Sequence, residues 1–466
     1  MKPPVTGVTS TVRAGVTLQP NFQYFTWPGR GGTNRFGVPT AWQSPPPLLG
    51  DRNSYSSVLF RLRTKVGEDS NMKKRQIDRS EVVRSESVLL RTTPAIVVIP
   101  ARNEAERVIR CLAALAVQRD RLGAPVSAGS FGVLLWVNNS SDETAAAARR
   151  AASSLPYPLD VCEVNFSQNA TAGGARRQAM EEAAAIMRQS LVGGILLTTD
   201  ADSVVSPTWV ADNSRHLEYG ADCVAGYIDA EPLEILSHGP QFLSRGRLED
   251  TYLRLIAEID ARCDPRAHNP WPSHRVSSGA SLAVKLSAYD AVGGMPDKAL
   301  GEDSAFTALL DRQGFKVRHA LDVSVVTSCR FDGRASGGAA DTMRHRRDVP
   351  DAFCDEDLEP AFRTLRRAVM RGFLRRAHER TNREAALQRL LGHRHNIDAR
   401  GSFWHDWELV EAESPYLRRG QPLRPSNLPG EIAKANFILN NIRAHQKKSV
   451  PADRCLHAPP CALADA

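Results

Sequence analysis

The sequence has no long run of apolar residues. The apolar runs at 95–100, 133–137 and 195–197 are all short, whereas a helix that spans a bilayer requires about 20 consecutive apolar residues. The first 30 residues also lack the continuous apolar segment of a secretory signal peptide. We therefore predict a cytoplasmic protein with no transmembrane segment.

Closely spaced cysteine pairs are also missing. Eight cysteines are scattered along the chain without any Cys-x-x-Cys motif, which indicates reduced thiols and argues against a disulfide framework or a zinc site. The chain contains no internal repeat and no heptad array, so it is not predicted to be a repeat protein or a coiled coil.

The composition is that of a globular protein. The 466 residues are 42% hydrophobic and 24% charged, and their number allows two or three domains. The net charge of +8 is compatible with a nucleic acid, an anionic membrane surface or a phosphate-bearing substrate. Charge alone therefore does not choose among these partners.

Composition changes along the chain suggest four regions. Residues 1–90 are rich in Pro, Gly, Ser and Asn and are predicted to be a disordered extension. An α/β domain is predicted at 91–345, a helical region at 346–445 and a flexible tail at 446–466.

From residue 95 onward, buried strands alternate with amphipathic helices. This alternation predicts a mixed, mostly parallel sheet flanked by helices, with polar residues gathered at the carboxyl ends of the strands. The predicted strands are 95–99, 133–137, 159–165 and 194–199, and the predicted helices are 104–118, 143–152 and one that starts near 172.

Asp200, Ala201 and Asp202 follow directly on the fourth of these strands. In an extended segment, the two carboxylates would point the same way and offer paired oxygens to one hard cation. Mn²⁺ or Mg²⁺ binds one or two carboxylates and completes its shell with substrate phosphates. A surface turn is the alternative interpretation, but the position at the carboxyl edge of a strand favours a metal site.

Two adjacent acids, Glu302 and Asp303, open a predicted helix. A helix N-terminus stabilises a carboxylate, so simple capping is one interpretation. The other is a general base that deprotonates an acceptor hydroxyl. Because only one of two neighbouring acids can face a site well, we predict Asp303 as the base and Glu302 as a residue that positions the acceptor.

Taken together, these segments resemble the family 2 glycosyltransferases, which have the GT-A fold. Residues 97–104 resemble the family's opening strand and loop, and 137–142 stand where the family has Val-Asp-Asp-Gly-Ser. In this chain Asn138 and Asn139 replace those two acids. The Gly-Ala-Arg at 174–176 resembles a further family segment, and 278–281 with 293–296 resemble the acceptor side.

The resemblance implies transfer of a sugar from a nucleotide-sugar, UDP-sugar being the first expectation, with inversion. It implies the acids 302 and 303 as catalytic residues, and Asp200 and Asp202 as metal ligands. His319, which follows the helix opened by these acids, is a further candidate metal ligand, with a structural histidine as the alternative interpretation. It also implies a small-molecule or carbohydrate acceptor. The residues expected to bind the donor are Pro100, Arg102, Asn103, Glu104, Asn138, Asn139, Asp142, Arg176, Asp200, Ala201, Arg330 and Arg334.

The Gln-x-x-Arg-Trp motif of processive members is absent from the sequence, so a non-processive enzyme with a soluble acceptor is expected. The Arg-rich stretch 363–380 predicts a basic amphipathic helix, which could contact a membrane surface or a nucleic acid, or be the solvated face of a packed helix. Trp404 and Trp407 could stack on a sugar or belong to the core.

Two other functions are compatible with parts of the sequence. A nucleotidyltransferase acting on a sugar phosphate also uses paired acids and a metal, but it favours a glycine-rich loop after the first strand, and 100–104 contains no glycine. A basic protein that docks on nucleic acid or a membrane leaves the acids at 200, 202 and 303 unexplained. We therefore expect no nucleic-acid partner.

Overall fold

The computed structural model describes residues 89–166, 170–190, 194–333, 337–392, 401–418 and 420–448. The predicted N-terminal extension and C-terminal tail lie almost entirely outside these residues, as does Arg334. The six cysteines in the described ranges are all free thiols, as their spacing predicted.

The described residues contain one sheet of eight strands. The strands are β1 Ala95–Ala101, β2 Gly132–Asn138, β3 Leu159–Val164, β4 Ile195–Thr198, β5 Ser203–Val205, β6 Cys223–Ala230, β7 Leu282–Lys285 and β8 Val317–Thr327. Their order in the sheet is β3-β2-β1-β4-β7-β6-β8-β5. The pairs β1–β2, β1–β4, β2–β3 and β6–β8 are parallel, whereas β4–β7, β6–β7 and β5–β8 are antiparallel.

Helices cover both faces of this sheet, which explains why its central strands are apolar throughout. Val97 and Ile99 of β1 belong to the core on one face, and Ile96 and Val98 belong to the core on the other. The helices up to residue 348 are α1 Val108–Ala116, α2 Thr144–Ala152, α3 Ala172–Arg188, α4 Trp209–Glu218, α5 Pro232–Leu236, α6 Pro240–Cys263, α7 Leu286–Ala291, α8 Glu302–Arg312 and α9 Ala339–Asp348.

The first predicted helix starts later than expected. The apolar periodicity predicted 104–118, but α1 begins only at Val108. The reason is a tertiary contact, since the Glu104 N–H donates to Thr144 Oγ1 at 2.8 Å and ties this segment to the start of α2. Residues 104–107 thus form a turn that belongs to the sheet edge.

The C-terminal part of the described chain is helical. Its helices are α10 Ala361–Glu379, α11 Arg383–Leu391, α12 Phe403–Glu413 and α13 Leu428–Lys448. Tyr252 and Ile256 of α6, Ala368 of α10, and Ala435 and Leu439 of α13 share one apolar cluster. The predicted fold class, a mostly parallel sheet flanked by helices with a helical C-terminal extension, is confirmed.

The arginines of α10 are largely used inside the protein. Arg371 Nε donates to Asp264 at 2.6 Å, and Arg375 Nε donates to the same carboxylate at 2.7 Å. The two arginines hold the pKa of Asp264 at about 2, outweighing the opposing effect of burial. Arg367 forms ion pairs with Glu359 and Glu411. This pattern favours the interpretation of α10 as a packed helix, and contact with a membrane surface stays a prediction.

Gly372 lets α10 approach the end of α6 closely. A Cβ on Gly372 would lie 2.2 Å from the backbone oxygen of Cys263 and 3.1 Å from the Cα of Asp264. Since both neighbours are backbone atoms, we expect Gly372→Ala to lower the free energy of unfolding by about 1–3 kcal/mol. Urea unfolding followed by circular dichroism measures this loss.

Gly430→Ala is the matched control, because a Cβ there meets nothing within 4 Å. In the exposed first turn of α13, alanine should be neutral or stabilising by up to about 1 kcal/mol. Equal stability of the two variants would contradict the close packing of α10 on α6.

Candidate active site

The loops that follow β1 and β2 lie against each other at the carboxyl edge of the sheet. The Ser141 N–H donates to Asn103 Oδ1 at 2.8 Å, and the Asn103 N–H donates to Ser140 Oγ at 3.0 Å. The Ala105 N–H donates to Asp142 Oδ2 at 3.0 Å. The two predicted donor-binding loops are therefore joined, as parallel neighbouring strands require.

Asp142 is exposed and caps α2. Its Oδ1 accepts the Thr144 N–H at 3.1 Å. Burial opposes its charge, but hydrogen bonds from Thr144 and Ala105 outweigh this effect and lower the pKa of the Asp142 carboxyl below its ordinary value. The carboxylate therefore remains charged at neutral pH at the rim of the site.

The two asparagines that replace the family's acids have different surroundings. Asn138 is buried at the end of β2. Asn139 has a left-handed backbone with φ of 46°, and both ends of its amide bond the backbone of Phe166, at 3.0 and 3.2 Å. This amide holds the end of β3, so the expectation that it binds the nucleotide base is not supported by its contacts.

The triplet at 200–202 leaves β4 in a turn and is not extended as predicted. The Ser203 N–H donates to the backbone oxygen of Asp200 at 3.0 Å, and Ala201 is buried. As a result the two carboxylates meet different cations. Asp200 binds Arg176, and Asp202 lies 3.3 Å from Arg330.

Arg176 of α3 lies beneath the site and does not point into an open donor pocket. Four of its five N–H groups donate within the protein. Nε donates to Glu302 at 3.1 Å, one Nη donates to Thr198 at 2.7 Å and to the Gly279 oxygen at 3.0 Å, and the other Nη donates to Asp200. Burial acts against its charge, but Asp200 and Glu302 outweigh it and raise the Arg176 pKa. The predicted nucleoside contact is thus replaced by a structural link.

Gly279 has no room for a side chain because of this link. A Cβ there would lie 2.2 Å from Arg176 Nε. Sequence reasoning grouped Gly279 with the acceptor side, whereas the structure places it between the acidic triplet and α8.

A second arginine closes the other side of the triplet. Arg330 binds both oxygens of the buried Glu104, one of them at 2.9 Å, and also contacts Asp202. Burial raises the pKa of Asp202 to about 7, with Asp200 and Glu104 adding to the rise and Arg330 opposing it. Arg330 is also a predicted donor-binding residue. To bind donor phosphates as well, its guanidinium would have to serve both the phosphates and Glu104.

Sequence reasoning missed the residues that hold the Arg330 loop. Glu234 of α5 accepts hydrogen bonds from Ser328 Oγ at 2.7 Å and from the Cys329 N–H at 2.8 Å. Arg107 donates to the same Glu234 at 2.6 Å. No local motif signals this cluster, since Glu234 is 94 or more residues away from each of these three partners.

The acids at the start of α8 have separate roles. Glu302 is buried against Arg176. Burial raises the pKa of Glu302 to about 7, Asp303 adds to the rise, and Arg176 opposes it. Asp303 is partly exposed and accepts the Gly279 N–H at 2.9 Å and the Ser304 N–H at 2.6 Å. Of the two acids, Asp303 is thus the more exposed, and its role as the base stays a prediction.

His319 does not lie with the acidic triplet. It pairs with Ala225 across β6–β8, whereas Thr327, which contacts Asp202 at 3.5 Å, pairs with Ala230. Their partners Ala225 and Ala230 are five residues apart on β6, which corresponds to about 17 Å along the strand. His319 and Asp202 therefore lie at opposite ends of β8, and the prediction that both bind one metal ion is wrong.

Two further predicted donor residues lie on the first strand and its loop. Pro100 is in β1 and pairs with Trp136 of β2. Arg102 is half-buried just after β1, and its side chain has no ion-pair or hydrogen-bond partner among the described residues. It is a cation available to a negatively charged ligand.

The oxygen ligands around the triplet fit a hard divalent cation. Burial is the main cause of the raised pKa of Asp202, and the negative charges of Asp200 and Glu104 beside it add to the rise. Carboxylate oxygens are the ligands that Mg²⁺ and Mn²⁺ prefer. Within the described ranges no group of three or more His, Cys, Asp or Glu could hold a metal by itself, so a bound ion would need ligands from a substrate.

None of the helices in the described ranges has the length and apolar character of a membrane span. This agrees with the lack of long apolar runs in the sequence.

Solved glycosyltransferase structures resemble this chain distantly. The mannosyltransferase PcManGT from Pyrobaculum calidifontis, in complex with GDP-Man and Mn2+, is 17% identical with a TM-score of 0.37, over 74% of this chain and 87% of its own. TarS 1-349 from S. aureus, in complex with UDP, is 13% identical with a TM-score of 0.37, over 74% of this chain and 89% of its own. No curated protein sequence is significantly similar to this chain.

The sequence comparison is more direct. Residues 96–260 match the family model of glycosyl transferase family 2. This range includes β1, the linked loops after β1 and β2, Arg176 and the acidic triplet, on which the resemblance was based in part. The other two segments, 278–281 and 293–296, lie outside the matched range. Residues 96–260 are therefore a glycosyl transferase family 2 segment, and the chain is a glycosyltransferase.

Proposed function

We propose that this enzyme moves one sugar from a nucleotide-sugar to the hydroxyl of a soluble acceptor, with a divalent metal and with inversion at the sugar carbon. One observation carries the proposal. Buried Arg176 binds Asp200 of the triplet and Glu302 beside Asp303. The proposed metal site and the proposed base are thereby fixed relative to each other, as a single displacement requires.

On the donor side, Asp200 and Asp202 would hold Mn²⁺ or Mg²⁺. When bound, such an ion supplies positive charge that stabilises a departing nucleoside diphosphate. Arg102, just after β1, has no side-chain partner among the described residues and would bind the donor's negative charge, and Asp142 would form the rim of the nucleoside site. We place the reaction in the cytoplasm and take UDP-sugar as the first donor to test.

On the acceptor side, Asp303 would accept the proton of the acceptor hydroxyl. The acceptor oxygen then forms a bond to the anomeric carbon as the bond from that carbon to the diphosphate oxygen breaks. Attack opposite the leaving group inverts the configuration. Glu302, buried on Arg176, would orient the start of α8 and hence Asp303.

Nucleotide binding tests the donor site directly. With Mn²⁺ and UDP, GDP, ADP, CDP or dTDP, we expect one diphosphate to raise the melting temperature. At about 100 times its Kd it should add roughly 2.7 kcal/mol of stability. Asp202→Asn should abolish the metal-dependent part of this shift, because it removes a charged oxygen ligand.

The matched control is Asp290→Asn, which removes a partly exposed carboxylate paired with Arg188 on the surface. It should respond to metal and nucleotide as the unmodified protein does. A shift that persists in Asp202→Asn, or that needs no metal, would argue against the proposed metal site.

A further inference from the structure

A cavity of about 480 Å³ lies between the sheet domain and the C-terminal helices. Its walls include Ser304 and Thr307 of α8, His319 of β8, Arg363 of α10 and Trp404 of α12. This volume is within the range of small-molecule sites. The donor site described above does not use any of these five residues.

The cavity adjoins Asp303. Ser304, which follows Asp303 in α8, lines it, and so does Ser277, two residues before the Gly279 that donates to Asp303. Ser304 Oγ in turn donates to the Ser277 oxygen at 3.3 Å. Asp303 is not itself a wall residue, but it lies next to two residues or segments that are. Arg176 links Gly279 to Asp200 of the acidic triplet.

Arg363 is the cation of this cavity that has no partner. Of the other arginines in the wall, Arg275 pairs with Asp260, Arg367 pairs with Glu359 and Glu411, and Arg371 pairs with Asp260 and Asp264. The Arg363 backbone N–H donates to the Pro360 oxygen at 2.8 Å, but its guanidinium has no ion-pair or hydrogen-bond partner in the described part of the chain.

The acidic residues of the cavity wall do not form ion pairs with Arg363, so its guanidinium can bind an anion. Asp311 binds Arg266 at 3.0 Å, and Glu359 and Glu411 bind Arg367. Glu356 and Asp357 also border the cavity, on the segment before α10, and neither forms an ion pair with Arg363. A guanidinium without a protein partner can bind a carboxylate or phosphate with two parallel hydrogen bonds.

The remaining wall suits a hydroxylated molecule. Trp404 and Trp407 are one turn apart on α12 and both contribute to it. Trp407 is buried in the core of the C-terminal helices, whereas Trp404 is only partly buried. The Trp404 ring therefore offers flat apolar surface for the C–H face of a sugar ring or polyol. The hydroxyls of Ser277, Ser304 and Thr307 can exchange hydrogen bonds with its hydroxyl groups.

We propose that this cavity binds the acceptor, and that the acceptor is a sugar-like polyol carrying a carboxylate or phosphate. Its anionic group binds Arg363, its apolar face packs on Trp404, and one of its hydroxyls reaches Asp303. The inference rests on the proposed function for the identity of its ligand as acceptor. His319, wrongly predicted as a metal ligand, is a wall residue of this cavity, with Nε2 3.2 Å from Ser277 Oγ.

Tryptophan fluorescence titration of the full chain tests the inference. The probes are glucose 6-phosphate, glucuronate and, as the neutral match, glucose. We expect at least one anionic probe to bind about tenfold or more tightly than glucose, which corresponds to about 1.4 kcal/mol. Arg363→Gln should remove that difference and leave glucose binding unchanged, whereas Trp404→Leu should weaken binding of both kinds of probe.

Arg380→Gln is the matched control, because it removes the same charge from an exposed position at the end of α10. It should retain the preference for the anionic probe. Anionic probes that bind no better than glucose, or a preference that survives Arg363→Gln, would overturn the inference.

The metal-dependent nucleotide shift, measured on the same preparations, separates the two proposals. A nucleotide-induced shift in melting temperature without probe binding would overturn the assignment of the cavity as the acceptor site and would still support the proposed donor site. Probe binding through Arg363 without any nucleotide shift would support an anionic polyol site but contradict the proposed transfer reaction.

Discussion

Replacing Arg176 by leucine is expected to lower the free energy of unfolding by roughly 3–5 kcal/mol, because it leaves the buried Glu302 carboxylate and the partly exposed Asp200 carboxylate without their cation. Asp200 and Glu302 would both lose an ion pair, and Thr198 and the Gly279 oxygen would each lose a hydrogen bond. The Glu302 pKa, already raised to about 7 by burial and Asp303, should rise further. Urea unfolding at neutral pH measures the loss of stability.

Arg188→Leu is the matched control for this variant. Arg188 also binds two carboxylates, Glu181 and Asp290, but all three side chains are about 40% exposed. Exposed pairs contribute at most about 1 kcal/mol each, so its loss should be small. Similar losses in both variants would show that burial of the Arg176 network is not important for stability.

Arg176→Lys separates charge from geometry. Lysine keeps the positive charge but cannot reach four acceptors in the plane of a guanidinium. We expect a stability between the leucine variant and the unmodified protein, and a weaker nucleotide-induced shift in melting temperature. A lysine variant equal to the unmodified protein would mean that charge alone, without the fork geometry, holds the site together.

The second large effect is expected at Asp303. Asp303→Asn should lower kcat by about 10²–10⁴-fold, because an amide cannot accept the proton of the acceptor hydroxyl. The variant should still fold, since an amide oxygen can accept the Gly279 N–H that Asp303 now accepts at 2.9 Å. The metal-dependent nucleotide shift should also be kept. Released nucleoside diphosphate, followed with donor and acceptor both varied, separates kcat from KM.

Asp297→Asn is the control for the catalytic variant. Asp297 precedes α8 and is exposed, so its amide should leave kcat and KM unchanged. If Asp303→Asn turned over donor as fast as Asp297→Asn, Asp303 would not be the general base. A raised KM with unchanged kcat would instead indicate a role in acceptor binding only.

Much of the sheet could be predicted from local sequence. Strands buried on both faces leave continuous β-branched and aliphatic runs, as in β1 and β2, and these were placed within one or two residues. The start of α1 could not be predicted from local sequence, because Glu104 is held by Thr144, 40 residues further along the chain. Periodicity reports which residues are buried and carries no information about such distant partners.

The sequence by itself determined which polar residues follow which strands, and therefore which of them meet at the carboxyl edge of the sheet. Order along the chain and the direction of parallel strands are enough for that. The partner of each charged group was decided only by the tertiary structure. Arg176 lies beneath the site, Arg330 binds Glu104, and His319 lies about 17 Å along the strand from the triplet. A long charged side chain can reach several oxygens. Burial determines which of those oxygens lose their contact with water and therefore require a cation.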